Sequence, residues 1–184
     1  MDIRATQKDD WQLLKQIRLA ALQDTPTAFG VSYQTAAADS DAQWQARAAG
    51  ERTRFWLALD DDRPVGLVGA GFRDPARYEL IAMWVEPAAR GSGVADGLVA
   101  AVKASAIELG VDALFLEVAP ENVRAVQFYR RHGFEFLDEW EPIDSHPHIL
   151  AQSMRYSCNS DWRRNEAPGT GASLFDQPKI SVET

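Results

Sequence analysis

Apolar residues recur at helical spacing early in the chain, where Trp11, Leu14, Ile17, Ala21 and Leu22 fall on one face. The helix they predict starts at Thr6, whose hydroxyl can cap free amides ahead of Asp9 and Asp10, and it stops before Pro26. Ser40 and Gln43 stand at capping-box spacing, so a second helix is expected over 40–49, closed by Gly50. Residues 27–38 between the two read as loop. The pattern then alternates. Strands are expected over 54–59, 65–72 and 77–85, and the short turns from Asp60 to Pro64 and at Asp74-Pro75 make them an antiparallel meander. A helix over 94–109 should turn Leu98, Ala101, Val102 and Ser105 inward. A strand over 111–118, a helix over 122–132 ended by Gly133, and strands over 134–140 and 149–156 follow. This order predicts an α/β fold of the α+β kind, a mixed sheet with helices on its faces.

Composition narrows the class. With 184 residues, 46% hydrophobic and 25% charged, the chain can bury one substantial core. Beyond residue 156 the sequence shifts to Asn, Ser, Arg, Gly, Pro and Thr, so a domain over 1–156 and a mobile tail over 157–184 are expected. Cys158 stands alone, which excludes an intrachain disulfide. A net charge of −8 lacks the basic face that a nucleic-acid partner requires. The opening Met1-Asp-Ile-Arg-Ala-Thr6 lacks signal-peptide features, and no run reaches the ~18 apolar residues that span a bilayer. The expectation is a soluble cytoplasmic protein with no membrane partner.

The stretch from Glu79 to Gly97 reads as a strand, a glycine loop around Arg90-Gly91-Ser92-Gly93, and a helix opening at Val94-Ala95. Small residues let backbone approach an anion, the first helical amides are unpaired, and the helix dipole favours negative charge. Arg90 adds a cation. The loop lacks the Gly-Lys-Ser/Thr ending of a P-loop, and Asp96 stands where the dinucleotide fingerprint needs glycine. His146 and His148, two apart on a loop, lack further ligands, so no metal is expected.

Arg90, Gly93 and Ala95 fill the three defined positions of the Arg/Gln-x-x-Gly-x-Gly/Ala loop, and here the sequence resembles the GCN5-related N-acetyltransferase superfamily. Asn122, Ala125, Phe128, Tyr129, Gly133 and Phe134 match the family's Asn-x-x-Ala-x-x-Phe-Tyr-x-x-x-Gly-Phe signature at every fixed position. The opening, Ile3 to Thr6 and then Pro26 to Gly30, also resembles a common subgroup. The resemblance covers residues 2–156. It implies a splayed, mostly antiparallel central sheet with helices on both faces, and acetyl-coenzyme A as co-substrate.

The resemblance also implies roles. The backbone of Met83, Trp84 and Val85 would pair with the pantetheine arm, and amides from Gly91 through Ser92, Gly93 and Val94 to Ala95 would hold the pyrophosphate. Asn122, Ala125 and Phe128 would lie on the cofactor side. Tyr129 would protonate the leaving thiolate, a step suited to a phenol with an ordinary pKa near 10. Glu79 is the candidate base for an amine that is mostly protonated at pH 7, through a water where needed, with Glu117 on the next strand as a further candidate. Phe29 and Tyr33, on the loop after the first helix, are the candidate acceptor-binding aromatics. The expected acceptor is a small cationic amine or a peptide amine, protein N-termini and lysines included. The alternative is a non-catalytic acyl-coenzyme A sensor. A homodimer through an exposed edge at 149–156 is a further expectation.

Overall fold

The fold comes from a computed structural model in which residues 1–158 are described. The expected tail lies, from residue 159 onward, outside the described residues.

Seven strands form one sheet in the order β1-β2-β3-β4-β5-β7-β6. They are β1 (Asp2–Ala5), β2 (Thr53–Asp60), β3 (Arg63–Asp74), β4 (Arg77–Val85), β5 (Ala113–Val118), β6 (Glu135–Ile143) and β7 (His146–Ser157). All neighbours are antiparallel except β4 and β5. Helices α1 (Trp11–Asp24), α2 (Tyr33–Ala37) and α3 (Asp41–Ala48) share one apolar cluster, while α4 (Val94–Glu108) and α5 (Val123–Arg131) share another. Strand β2 sits between them: Phe55, Leu57 and Leu59 face the first cluster, Trp56 and Ala58 the second. Its nearly unbroken apolar run is therefore a strand buried on both faces.

Local chemistry explains the elements that match expectation. Ser40 and Gln43 form a reciprocal capping box at the start of α3. Asp61 and Asp62 both take left-handed backbone in a two-residue turn between Asp60 and Arg63, the geometry that tightly twisted hairpins require.

Long-range contacts explain the departures. Thr6 caps no helix; its hydroxyl donates to the Ala48 carbonyl at 2.8 Å and its amide to Phe55, extending the pairing of β1 with β2. Helix α1 starts only at Trp11, after Arg4 has clasped both oxygens of Asp10 at 2.7 and 2.8 Å. The expected loop over 27–38 contains α2, capped by the Ser32 hydroxyl. The segment 149–156 is no edge: β7 is paired to β5 on one side and β6 on the other, so among the described residues the free edges are β1 and β6. Ser157 ends β7, and the Cys158 amide bonds the Asp112 carbonyl.

Leu98 of α4 is fully buried where α4 crosses the sheet. Leu98→Ala should lower unfolding free energy by about 2–5 kcal/mol, measured by urea titration with an unchanged slope.

Candidate active site

Strands β4 and β5 touch at only two rungs, Tyr78 with Leu114 and Glu79 with Phe115. Beyond them β4 stays with β3 as far as the pair Val85 and Gly66, and β5 stays with β7 as far as Val118 and Gln152. The strands part into a wedge, and among the described residues the β5-facing edge of residues 80–85 has no strand partner. At the start of the wedge Ala82 adopts φ 57°, beside a register break between Leu67 and Gly69 on β3. This is a bulge, which bends and twists a strand locally.

After β4 the chain makes a short turn at Pro87–Ala89 and then a loop in which Gly91 and Gly93 have φ of 84° and 86°. Only glycine adopts such backbone without penalty. Among the described residues, the amides of 91–95 donate no backbone hydrogen bond, and they lie at the positive end of α4. Arg90 turns away from these amides. Its Nε donates to the Val85 carbonyl at 2.9 Å and its Nη2 to Asp24 at 2.6 Å. Trp84 Nε1 donates to the same Asp24 oxygen at 2.9 Å. These bonds, from Trp84 first and Arg90 second, hold the Asp24 carboxyl below its usual range. Asp96 points toward α5, 2.9 Å from His132 Nε2.

On the far side of the wedge, Asn122 caps α5 by accepting from the Ala125 amide at 3.2 Å. Tyr129 lies edge-on to Phe128 and Phe134, with ring centroids 5.4 and 5.7 Å away. It shares an apolar cluster with Val85 and Val118, against which Ala125 and Phe128 also pack. Burial pushes the phenol well above its usual pKa. Tyr129 therefore stays protonated at neutral pH.

The carboxylates form a network across the sheet. Glu79 Oε1 accepts from Arg77 Nε at 2.6 Å and lies 3.7 Å from Arg73. Arg73 donates to Glu117 at 2.8 Å and also bonds Glu141. Arg77 reaches Glu139 and the Ser153 hydroxyl, both at 2.7 Å. Burial raises the Glu117 carboxyl above its usual range, and the neighbouring charges of Glu141 and Glu79 add to this against Arg73 and Arg77. Glu79 occupies the last paired rung, whereas Glu117 is two residues into the wedge. From Glu79 to residues 83–85 the extended chain covers about 13–20 Å, more than one bridging water spans.

A family model described as the acetyltransferase (GNAT) family matches residues 16–134. The chain belongs to that family. Solved structures of the same fold include ribosomal-protein-alanine N-acetyltransferase from Brucella melitensis, at 20% identity and TM-score 0.67 over 85% of this chain and 99% of that one. An aminoglycoside 6'-N-acetyltransferase complexed with coenzyme A matches at 17% and 0.64, covering 86% and 98%. NAA60 from Arabidopsis thaliana, in complex with a bisubstrate analogue, matches at 17% and 0.63, covering 85% and 97%. No curated protein matches in sequence. Among the described residues no helix is long and apolar enough to cross a membrane.

In this GNAT chain the loop after α1 meets the β6–β7 turn, where the Ser145 hydroxyl donates to the Phe29 carbonyl. Beneath that loop lies a cavity of about 510 Å³ bounded by α1, α2, α3 and β2, which reaches Ile81 and the bulged Ala82. Phe29 is buried beside it, and Tyr33 packs half-buried on the same apolar cluster without lining it.

Ala82→Gly should leave stability level or raised in urea titration, because relief of left-handed strain offsets the ~0.5–1 kcal/mol that glycine normally costs inside a strand. A loss of that size would mean Ala82 is unstrained. For Glu117 the folded state favours the protonated form, a contribution complete below about pH 4 and lost as pH rises through the raised value. Glu117→Gln should therefore gain stability relative to the parent between pH 4 and pH 8 in paired thermal melts.

Proposed function

We propose that the protein is an N-acetyltransferase that moves an acetyl group from acetyl-coenzyme A to a primary amine by direct attack in a ternary complex. The observation that carries this reading is the wedge, with an unpaired β4 edge leading straight into a glycine loop of free amides. An extended pantetheine arm fits that edge as an added strand beside Met83, Trp84 and Val85. The pyrophosphate fits the amides from Gly91 to Ala95 and the positive end of α4. Arg90, engaged with Asp24 and Val85, shapes the loop, and Asn122 fixes the start of α5 on the other flank.

The bond changes follow from this placement. A carboxylate takes a proton from the ammonium form of the acceptor, and the freed nitrogen attacks the thioester carbonyl carbon. An amide near Val85 faces the oxyanion that forms. The tetrahedral intermediate then collapses: the nitrogen releases its second proton to water, the C–S bond breaks, and Tyr129 donates a hydrogen bond to the departing sulfur. Because burial raises the phenol, its contribution is a hydrogen bond that stabilises the thiolate, with full proton transfer following as solvent returns. Of the two carboxylates, Glu117 is better placed and more basic than an ordinary glutamate, with Glu79 holding the shared Arg73 in position.

The acceptor is a small molecule on this reading, because the cavity bounded by α1, α2, α3 and β2 has the size of one, about 510 Å³. Structural relatives include both kinds, an aminoglycoside acetyltransferase and a ribosomal-protein-alanine acetyltransferase.

Thiol release from acetyl-coenzyme A across a panel of amines tests the proposal. Tyr129→Phe and Glu117→Gln should each lower kcat by roughly 10²-fold or more, with coenzyme A affinity little changed by calorimetry. Glu79→Gln should lower it less. Binding of acetyl-coenzyme A without turnover of any amine would favour a sensor instead.

A further inference from the structure

The cavity contains a cation without a counter-ion. Arg18, on α1, lines its wall, and among the described residues the guanidinium has no hydrogen-bond partner, with Nη1 shut off from solvent. Burial, helped by the charge of Arg47, pulls its pKa down to about 10, and no carboxylate offsets this. The nearest charged neighbours do not help. Arg47 is committed to Asp39 at 2.6 Å and stacks on Trp44, and the cavity rim carries Arg52 against a single acid, Glu51. Unpaired buried cations are costly, and a fold retains one where something else supplies the anion.

Resting on the acetyltransferase reading, we propose that Arg18 binds a carboxylate of the acceptor, so that the acceptor is an amino-acid-like molecule carrying both a primary amine and a carboxylate on an apolar body. The Phe29 ring covers one face of the guanidinium, its centroid 4.5 Å from Cζ, so a ligand must approach edge-on. That approach offers the planar fork of N–H donors that matches a carboxylate in two parallel bonds. Leu14, Trp44, Phe55 and Ile81 give the cavity its apolar lining. Its other end is Ala82, where the wedge begins. Thr53, on the cavity wall, shares a rung with Glu79 across Gly71, about 10 Å away at two strand spacings. An acceptor whose amine stands at the far end of its apolar body from its carboxylate therefore reaches from Arg18 along the cavity toward Glu79 and Glu117.

Calorimetry with ω-amino acids of graded apolar chain length, each paired with its carboxamide, reads Arg18 without any chemistry. In the presence of coenzyme A, at least one acid should bind at least tenfold more tightly than its amide, and Arg18→Gln should abolish that preference. Arg18→Lys, which keeps the charge and loses the fork, should retain only part of it. The unliganded Arg18→Met variant should melt at a higher temperature than the parent, since it removes an uncompensated buried charge, and a lower melting temperature would show a structural partner for Arg18. Equal binding of acids and amides, binding of neither, or a preference that survives Arg18→Gln overturns the proposal. Failure of the acetyltransferase reading looks different: the preference for acids would persist while no amine released thiol from acetyl-coenzyme A.

Discussion

The divergence of β4 from β5 is the constraint on which the rest of the structure depends. Two strands that meet at two rungs and then separate would ordinarily close up, because each leaves backbone donors and acceptors unpaired. Here each strand is held on its outer side by a long antiparallel partner, β3 for β4 and β7 for β5. Apolar clusters on both faces fix those partners. The bulge at Ala82 turns β4 further aside. Closing the wedge would break that packing, so the open edge is a property of the fold and available to an extended ligand.

The electrostatics of the loop follow from the same arrangement. The residues that end β4 and begin α4 must reverse direction within a few positions, and they do so through left-handed glycines that leave amides exposed. Arg90 would be the obvious cation for an anion arriving there, yet its charge is matched by Asp24, which Trp84 also holds. The positive character facing the wedge therefore comes from oriented amides and the helix dipole. Such groups are fixed before a ligand arrives and cost little to reorganise.

What could be read from the sequence was what local chemistry decides. The Ser40 and Gln43 box, the Asp61-Asp62 turn and the glycine loop each specify their own geometry within a few residues, and Asn122 and Gly133 mark the two ends of α5. What could not be read depends on partners distant in sequence. Thr6 has the chemistry of a cap and spends it on Ala48, forty-two positions away. Strand 149–156 has the pattern of an edge, but insertion between β5 and β6 is a matter of topology. Nothing about Ala82 signals left-handed backbone, because alanine is a poor choice for it. Glu79 stands out in sequence because it lies on the strand that leads to the loop, while its place at the last paired rung, two residues short of the level of Glu117, emerges only from the sheet.

Arg18 gives the sharpest case, because no pattern in a sequence reveals that a side chain lacks a partner. The net charge of −8 suggests a protein that attracts cations, and it points to a cationic acceptor. Charges farther away than about 8–10 Å are screened at physiological ionic strength, whereas a guanidinium inside a cavity is screened far less. The local field at the cavity wall thus has the opposite sign to the global one, with Arg18 and Arg52 against Glu51 while Arg47 is paired to Asp39. A carboxylate entering that space meets a half-buried cation with no ionic partner among the described residues, and part of the desolvation of Arg18 has been met by folding before the ligand binds. Long-range charge draws the amine end of an acceptor toward the protein and the cavity selects for what the other end carries, so the two signs together favour a zwitterion.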